Sequence, residues 1–166
     1  MAQTLNRSLT DLGALLHLVD PTLPIGGFNH SNGLETFVQQ RVVESKATLE
    51  EYVQTQLLQN WIYNDGAYLS LAFDAMCEGN FDRLCELDWQ LSATKVARES
   101  REGSFKLGVR LLKIFIRYET HALLTAYQQA IAEKRVQGYF PIVFAMVAQA
   151  MGLSKADTLY AFYYNA

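Results

Sequence analysis

The sequence predicts an all-α domain. Apolar residues recur at three- and four-residue steps along most of the chain, and no polar–apolar alternation persists beyond a few residues. Helix-capping residues, glycines and prolines also punctuate the periodic stretches at helix-like intervals. Half of the 166 residues are apolar, enough for one domain with a sizeable core. With no internal repeat and no low-complexity linker, residues 1–166 read as a single bundle of about seven to nine helices.

Leu9, Leu12, Leu15, Leu16 and Val19 recur at helical spacing behind Ser8 or Thr10 as N-cap, and Asp20-Pro21 closes this first helix. His17 within it reads as a surface or hydrogen-bonded core residue. Residues 20–35, DPTLPIGGFNHSNGLE, then break the pattern. Pro21 and Pro24 fix φ and push the preceding residues out of the α region. Gly26 and Gly27 permit positive φ or close approach of another backbone, and Asn29, Ser31 and Asn32 are capping residue types. Such a loop is stiff at its entry, permissive in the middle and capped at its exit. It suits an ordered, shaped surface, although a buried turn between two helices has the same composition. Leu34, Phe37 and Val38 mark a short second helix to about Gln40. Asn32 and Glu35 stand at the capping-box step, which gives Glu35 a structural role at the helix dipole.

Thr48-Leu49-Glu50-Glu51 reads as a capping box that opens a third helix, with Leu49, Tyr52, Val53, Leu57, Trp61 and Tyr68 on one broad face. Asn64-Asp65-Gly66 is a break signal after Tyr63, and a fourth helix carries Ala67 to Met76. Gly79-Asn80 ends that helix and caps a fifth, whose stripe is Phe81, Leu84, Leu87 and Leu91. From Thr94 the charges crowd. Arg98 and Arg101 share a side and Glu99 and Glu102 are within reach, which describes either a solvated face of weak ion pairs or a guanidinium pair aimed at the glycine loop or a partner. Gly103 and Gly108 point to tight helix crossings in a helix continued by Leu107, Leu111, Leu112, Phe115 and Tyr118. Thr120 to Lys134 forms the next helix, with Leu123, Leu124, Tyr127 and Ile131 inward and a structural His121 near its start. Pro141 fits a helix N1 position, and the apolar stretch that follows to Met151 is hydrophobic all round, so it belongs at the centre. Ser154 to Asp157 caps a last helix whose Leu159, Phe162 and Tyr163 are expected to pack on the core or on a second copy of the chain.

The net charge of −3 is mild and mixed, which gives no electrostatic footprint for nucleic acid. Residues 1–7 lack the apolar core of a signal peptide, and the longest apolar run, residues 142–153, is interrupted by Gln149 and too short to span a bilayer. The expected setting is the cytoplasm. Cys77 and Cys85 make no disulfide framework and are expected to be buried, reduced thiols. Three scattered histidines and two separated cysteines do not give the spacings of zinc or nickel cages, so no cofactor is expected. The glycine loop lacks the GxxxxGK[ST] pattern and follows a helix, which removes the P-loop and dinucleotide readings. Adjacency of His30 and Ser31 is not a triad, and Asp65, Asp74 and Glu78 read as a helix face. The residues favour an interaction protein. The rival from another class is a small helical enzyme using Glu35, His30 and the arginines.

Four stretches resemble one known family. Residues 18–35, with the pattern Asp-Pro-x-Leu-Pro-Ile-Gly-Gly-Phe-x-His-Ser-x-Gly-Leu-Glu, are similar to the signature of the urease accessory protein UreF family. Ala97-Arg98-Glu99-Ser100 followed by Gly103, Phe140-Pro141-Ile142-Val143-Phe144 with residues 148–153, and Leu159-Tyr160-Ala161-Phe162-Tyr163-Tyr164 resemble its other motifs. The resemblance implies an all-α, non-enzymatic, typically dimeric protein. It implies a bridge between UreD (also called UreH) and the nickel-carrying GTPase UreG, regulating GTP-dependent nickel delivery to apo-urease. Partner binding is expected at Pro24, Gly26, Gly27, Phe28, His30, Ser31, Gly33, Glu35, Arg98 and Tyr160, and a direct nickel-binding chaperone is the rival reading within this family setting. The chain departs from the family pattern at Tyr139, where a histidine is usual, and at Ala166, beyond which the family continues into a further helix and tail.

Overall fold

The computed structural model describes residues 9–27 and 33–165. Among these there is no strand. The elements are α1 (Leu9–Leu18), α2 (Leu34–Gln39), α3 (Lys46–Thr55), a π-helical segment (Gln56–Gly66), α4 (Ala67–Cys77), α5 (Phe81–Thr94), α6 (Arg98–Phe115), α7 (Ala122–Ala132), α8 (Phe140–Ala150) and α9 (Lys155–Asn165). The all-α expectation therefore holds.

Helix α8 is the axis of the fold. Its residues from Pro141 through Ala148 are all buried, and it packs most extensively against α4 and α6. Each large apolar side chain so buried stabilises the fold by roughly 1.5–3 kcal/mol, which makes this helix the main source of core burial. Helix α4 supplies Leu69, Ala72, Phe73, Ala75 and Met76 to the core, and α6 supplies Leu111, Leu112 and Phe115. Helix α9 closes one side through Phe162, whose ring lies edge-on to Phe144 at 5.5 Å and tilted against Phe140 at 5.9 Å. Leu159 and Tyr163 are partly buried beside it, so the expected face of the last helix packs on the core of its own chain.

The turn that launches α8 is clamped by α5 and α6. Asp88 of α5 is 1% exposed, and its carboxylate accepts from Gln137 N (2.6 Å), Gly138 N (2.9 Å), Tyr139 N (3.2 Å) and Tyr127 Oη (2.7 Å). Ser104 Oγ of α6 accepts from Phe140 N at 3.3 Å. Gly108 lies so close that an added Cβ would collide with the Gly138 carbonyl and come within 2.9 Å of Phe140 N, which explains a glycine in mid-helix. Tyr139, the departure from the family pattern, is buried and donates its hydroxyl to Ser92 Oγ at 3.0 Å.

Several local expectations need correction. In α1 the inward residues are Leu15 and Leu18, with Val19 just beyond, while Leu9, Leu12 and Leu16 face out. Helix α2 has Gly33 as its N-cap, at φ 93°, which puts Glu35 at the second helical position, while Asn32 of the expected box lies outside the described residues. The capping box of α3 is Ser45 with Thr48, three residues earlier than expected, because Thr48 reaches back to the Ser45 amide. Residues 56–66 wind as a π-helix straight into α4, so Asn64-Asp65-Gly66 is no break. Gly66 serves close packing instead, since a Cβ there would strike Tyr163 Oη and the Trp61 carbonyl. Cys77 is exposed and Cys85 half-buried, and both are free thiols.

Asp88→Ala leaves three backbone amides and the Tyr127 hydroxyl without their acceptor and is expected to cost about 3 kcal/mol or more, against about 1 kcal/mol for Tyr127→Phe. Urea unfolding of both variants checks this, and an Asp88→Ala loss under about 1 kcal/mol would reject the clamp.

Candidate partner-docking site

The loop after α1 is ordered by its own chemistry. Thr22 donates both its amide and its hydroxyl to Asp20 Oδ1 at 2.7 Å, which holds the Asp20 carboxyl below its ordinary range. Pro24 sits in a tight turn closed by Ile25 N donating to Leu23 O at 2.7 Å. Leu23 and Ile25 are buried on either side of it, while Pro24 and Gly27 are exposed. The loop is thus rooted in the core at alternate residues and presents the others outward.

A cation from α6 fixes the next step. Arg110 Nη1 donates to Ile25 O at 3.0 Å. Gly26 follows at φ 82°, and a Cβ there would collide with the Arg110 guanidinium. Gly26 is therefore required by its backbone conformation, and a side chain there would also displace the Arg110 tip. Gly27 is not: an added Cβ would meet only Leu107 Cδ2, at 3.9 Å. Gly33 caps α2, and Glu35 is exposed on that helix's first turn. Phe28, His30 and Ser31 lie outside the described residues.

The arginines singled out by sequence do not reach this loop. Arg98 is 82% exposed and pairs with Glu102 at 2.7 Å, an interaction that raises the guanidinium and lowers the carboxyl. Arg101 Nη1 donates to the Lys95 and Val96 carbonyls at 3.0 and 3.3 Å, finishing the end of α5. The guanidinium at the loop is Arg110, some three turns and roughly 18 Å further along α6. Its signal was its position on the polar side of α6, but the sequence alone did not connect it to a loop so distant in the chain.

Tyr160 lies on the outer side of α9, 62% exposed, with its ring stacked on Tyr164 at 6.3 Å and 19°. Helix α9 touches both α1 and the π-helical segment. Those neighbours add exposed Leu12 and Leu16, and Leu58, Ile62 and Tyr63. Near the π-helical exit, Lys95 Nζ lies 2.7 and 3.0 Å from the two carboxylate oxygens of Asp65. Burial pushes Asp65 above the ordinary carboxylate range, and Lys95 partly offsets it. Burial also raises the Tyr163 phenol, with the Asp65 charge adding to it. Asp65 is thus separated from Asp74, which pairs with Lys155 at 2.7 Å. Of the histidines, His17 packs against Phe115 at 5.1 Å, and His121 Nδ1 accepts from Leu123 N at 3.3 Å. Among the described residues no three His, Cys, Asp or Glu side chains converge as metal ligands, and no helix is long and apolar enough to cross a membrane.

Comparison with known proteins gives consistent results. A family model described as UreF matches residues 43–166. The urease accessory protein UreF of Haemophilus influenzae strain Rd is 99% identical over all 166 residues, which span 71% of that protein. The UreF of Actinobacillus pleuropneumoniae serotype 5b is 81% identical over 93% of this chain and 68% of its own length. That of Lachnoclostridium phytofermentans is 34% identical over 92% of this chain and 67% of its own. The all-α fold and these relatives place the chain among the urease accessory proteins. The chain belongs to the urease accessory protein UreF family. The family model begins after the glycine loop, whereas the match to the Haemophilus relative includes it.

Gly26→Ala is expected to destabilise by about 1–2 kcal/mol through its positive φ, and Arg110→Ala by about 1 kcal/mol, while Gly27→Ala stays within about 0.5 kcal/mol. Chemical denaturation of the three variants checks the ranking, and a larger loss at Gly27 than at Gly26 would contradict it.

Proposed function

We propose that this chain is a non-catalytic cytoplasmic scaffold of urease maturation, which bridges UreD/UreH and the GTPase UreG and regulates GTP-dependent delivery of nickel to apo-urease. Nickel is the cargo in this reading. The observation that carries it is the exposed apolar and aromatic surface on α9 and on the two elements it touches: Tyr160 with Tyr164 of α9, Leu12 and Leu16 of α1, and Ile62 and Tyr63 of the π-helical segment. Exposed apolar surface of this kind favours association with other proteins, and tyrosine is a preferred anchor there. A homodimer fits the same surface. Phe162 and Tyr163 are engaged within the chain, so the self-contact is assigned to the Tyr160 and Tyr164 side.

The loop is the second docking element of the proposal, through Pro24, Gly26, Gly27, Phe28, His30, Ser31, Gly33 and Glu35. Its prolines and the Arg110 tether restrict the free state, so less entropy is lost on binding. Arg98 and Tyr160 complete the proposed contact set. The test is co-purification with UreD/UreH, UreG and apo-urease, with nickel-dependent urease activation measured in its presence and absence. Phe28→Ala and His30→Ala are expected to keep the melting temperature and weaken assembly about tenfold, the equivalent of 1.4 kcal/mol in each case. Lost stability without a specific loss of assembly would make the loop architecture only.

A further inference from the structure

Helix α6 carries a second surface. Lys106, Arg110 and Lys113 recur at steps of four and three, which places them on one face of the helix, Arg117 follows in the turn just past its end, and all four are exposed. The chain as a whole carries a net charge of −3, so this row stands against the average. Lys106 is engaged by Glu102 at 3.5 Å, and Arg110 reaches back to the loop. Among the described residues, the side chains of Lys113 and Arg117 make no ion pair or hydrogen bond.

Directly beside the row runs a groove between α6 and α7 of about 490 Å³. Val109, Leu112 and Ile131 give it apolar walls, Thr125 and Gln128 give it polar edges, and Lys113 belongs to both groove and row. An apolar channel between two helices accepts the apolar face of a third helix. A row of cations along one edge selects acidic side chains on the flank of that helix.

Resting on the scaffold reading, we propose that the α6–α7 groove docks an acidic amphipathic helix of a partner protein in the urease-maturation assembly. The apolar face fills the space between Leu112 and Ile131, and its carboxylates pair with Lys113 and Arg117. The loop and the groove then lie on opposite sides of the same cationic row, joined by Arg110.

The test uses the full chain with purified UreD/UreH, UreG and apo-urease. Lys113→Glu/Arg117→Glu is compared with the parent, and a photo-crosslinking benzoylphenylalanine replaces Thr125. The double variant is expected to melt with the parent and bind one of these proteins at least about tenfold more weakly near 0.1 M salt. The parent's affinity should fall with salt and the variant's should not. The crosslink should map to a helical segment with Asp or Glu at three- and four-residue steps. Phe28→Ala should retain that crosslink. The proposal is overturned if the double variant binds as the parent does, if the crosslink falls on a neutral or basic segment, or if the variant loses binding only to DNA or to vesicles containing phosphatidylserine. If the parent binds none of the proteins, the scaffold reading falls first and this proposal with it. Binding by the parent without any effect of the double variant removes the groove alone.

Discussion

The fold depends on one buried carboxylate. A charge taken out of water costs several kcal/mol unless its oxygens are satisfied, and Asp88 has four donors and, among the described residues, no ion-pair partner. Three of them are consecutive backbone amides, from Gln137, Gly138 and Tyr139, curled around the carboxylate with Gly138 at φ 81°. Successive amides in such a curl form an anion-binding concavity, and here the chain supplies its own anion. Burial, and then the Asp88 charge, push the Tyr127 hydroxyl well above its ordinary range, so it remains a donor. The segment is secured again upstream, where Trp89 Nε1 donates to Arg135 O at 2.9 Å and the Arg135 guanidinium lies 5.9 Å from the centre of the Phe81 ring.

Everything at the centre follows from where that turn is held. It delivers Tyr139 and Phe140 into the gap that Gly108 leaves open, and so sets the depth at which α8 enters between α4 and α6. Phe140 and Phe144 then form the seat for Phe162, and Gly66 makes room for Tyr163 on the same side. With α9 settled by these contacts, Tyr160 and Tyr164 are left facing outward beside α1 and the π-helical segment. The interior that fixes the fold and the exterior proposed for docking are two sides of the same helices.

The large periodic elements were legible. The all-round apolar stretch after Pro141 announced the central helix, Asn80 caps α5 as its residue type predicts, and Gly108 marks a close crossing. What failed was local competition among similar signals. Ser45 and Thr48 are both capping residues, and only geometry decides which leads. Asn64-Asp65-Gly66 looks like punctuation, but close approach of Tyr163 is a second reason for a glycine. Asp88 was readable in principle, because it shares the inward face of Leu84, Leu87 and Leu91, where a charge calls for buried partners. Those partners come from about fifty residues away, a distance local spacing does not bridge. In the loop, Gly26 is explained by its positive φ, while Pro24 and Gly27 are exposed and Gly27 has room for a side chain. Pro24 also sets the tight turn between Leu23 and Ile25, so Gly27 is the residue of the pair for which docking is the proposed reason.

Native-state hydrogen exchange tests the Asp88 constraint most directly, because it reads the three clamped amides one by one. If the carboxylate holds the turn as an inseparable part of the core, Gln137, Gly138 and Tyr139 exchange only with global unfolding, as slowly as the amides of α8. Exchange of these three amides by local opening, at rates typical of the exposed α2 region while α8 remains protected, would contradict the account.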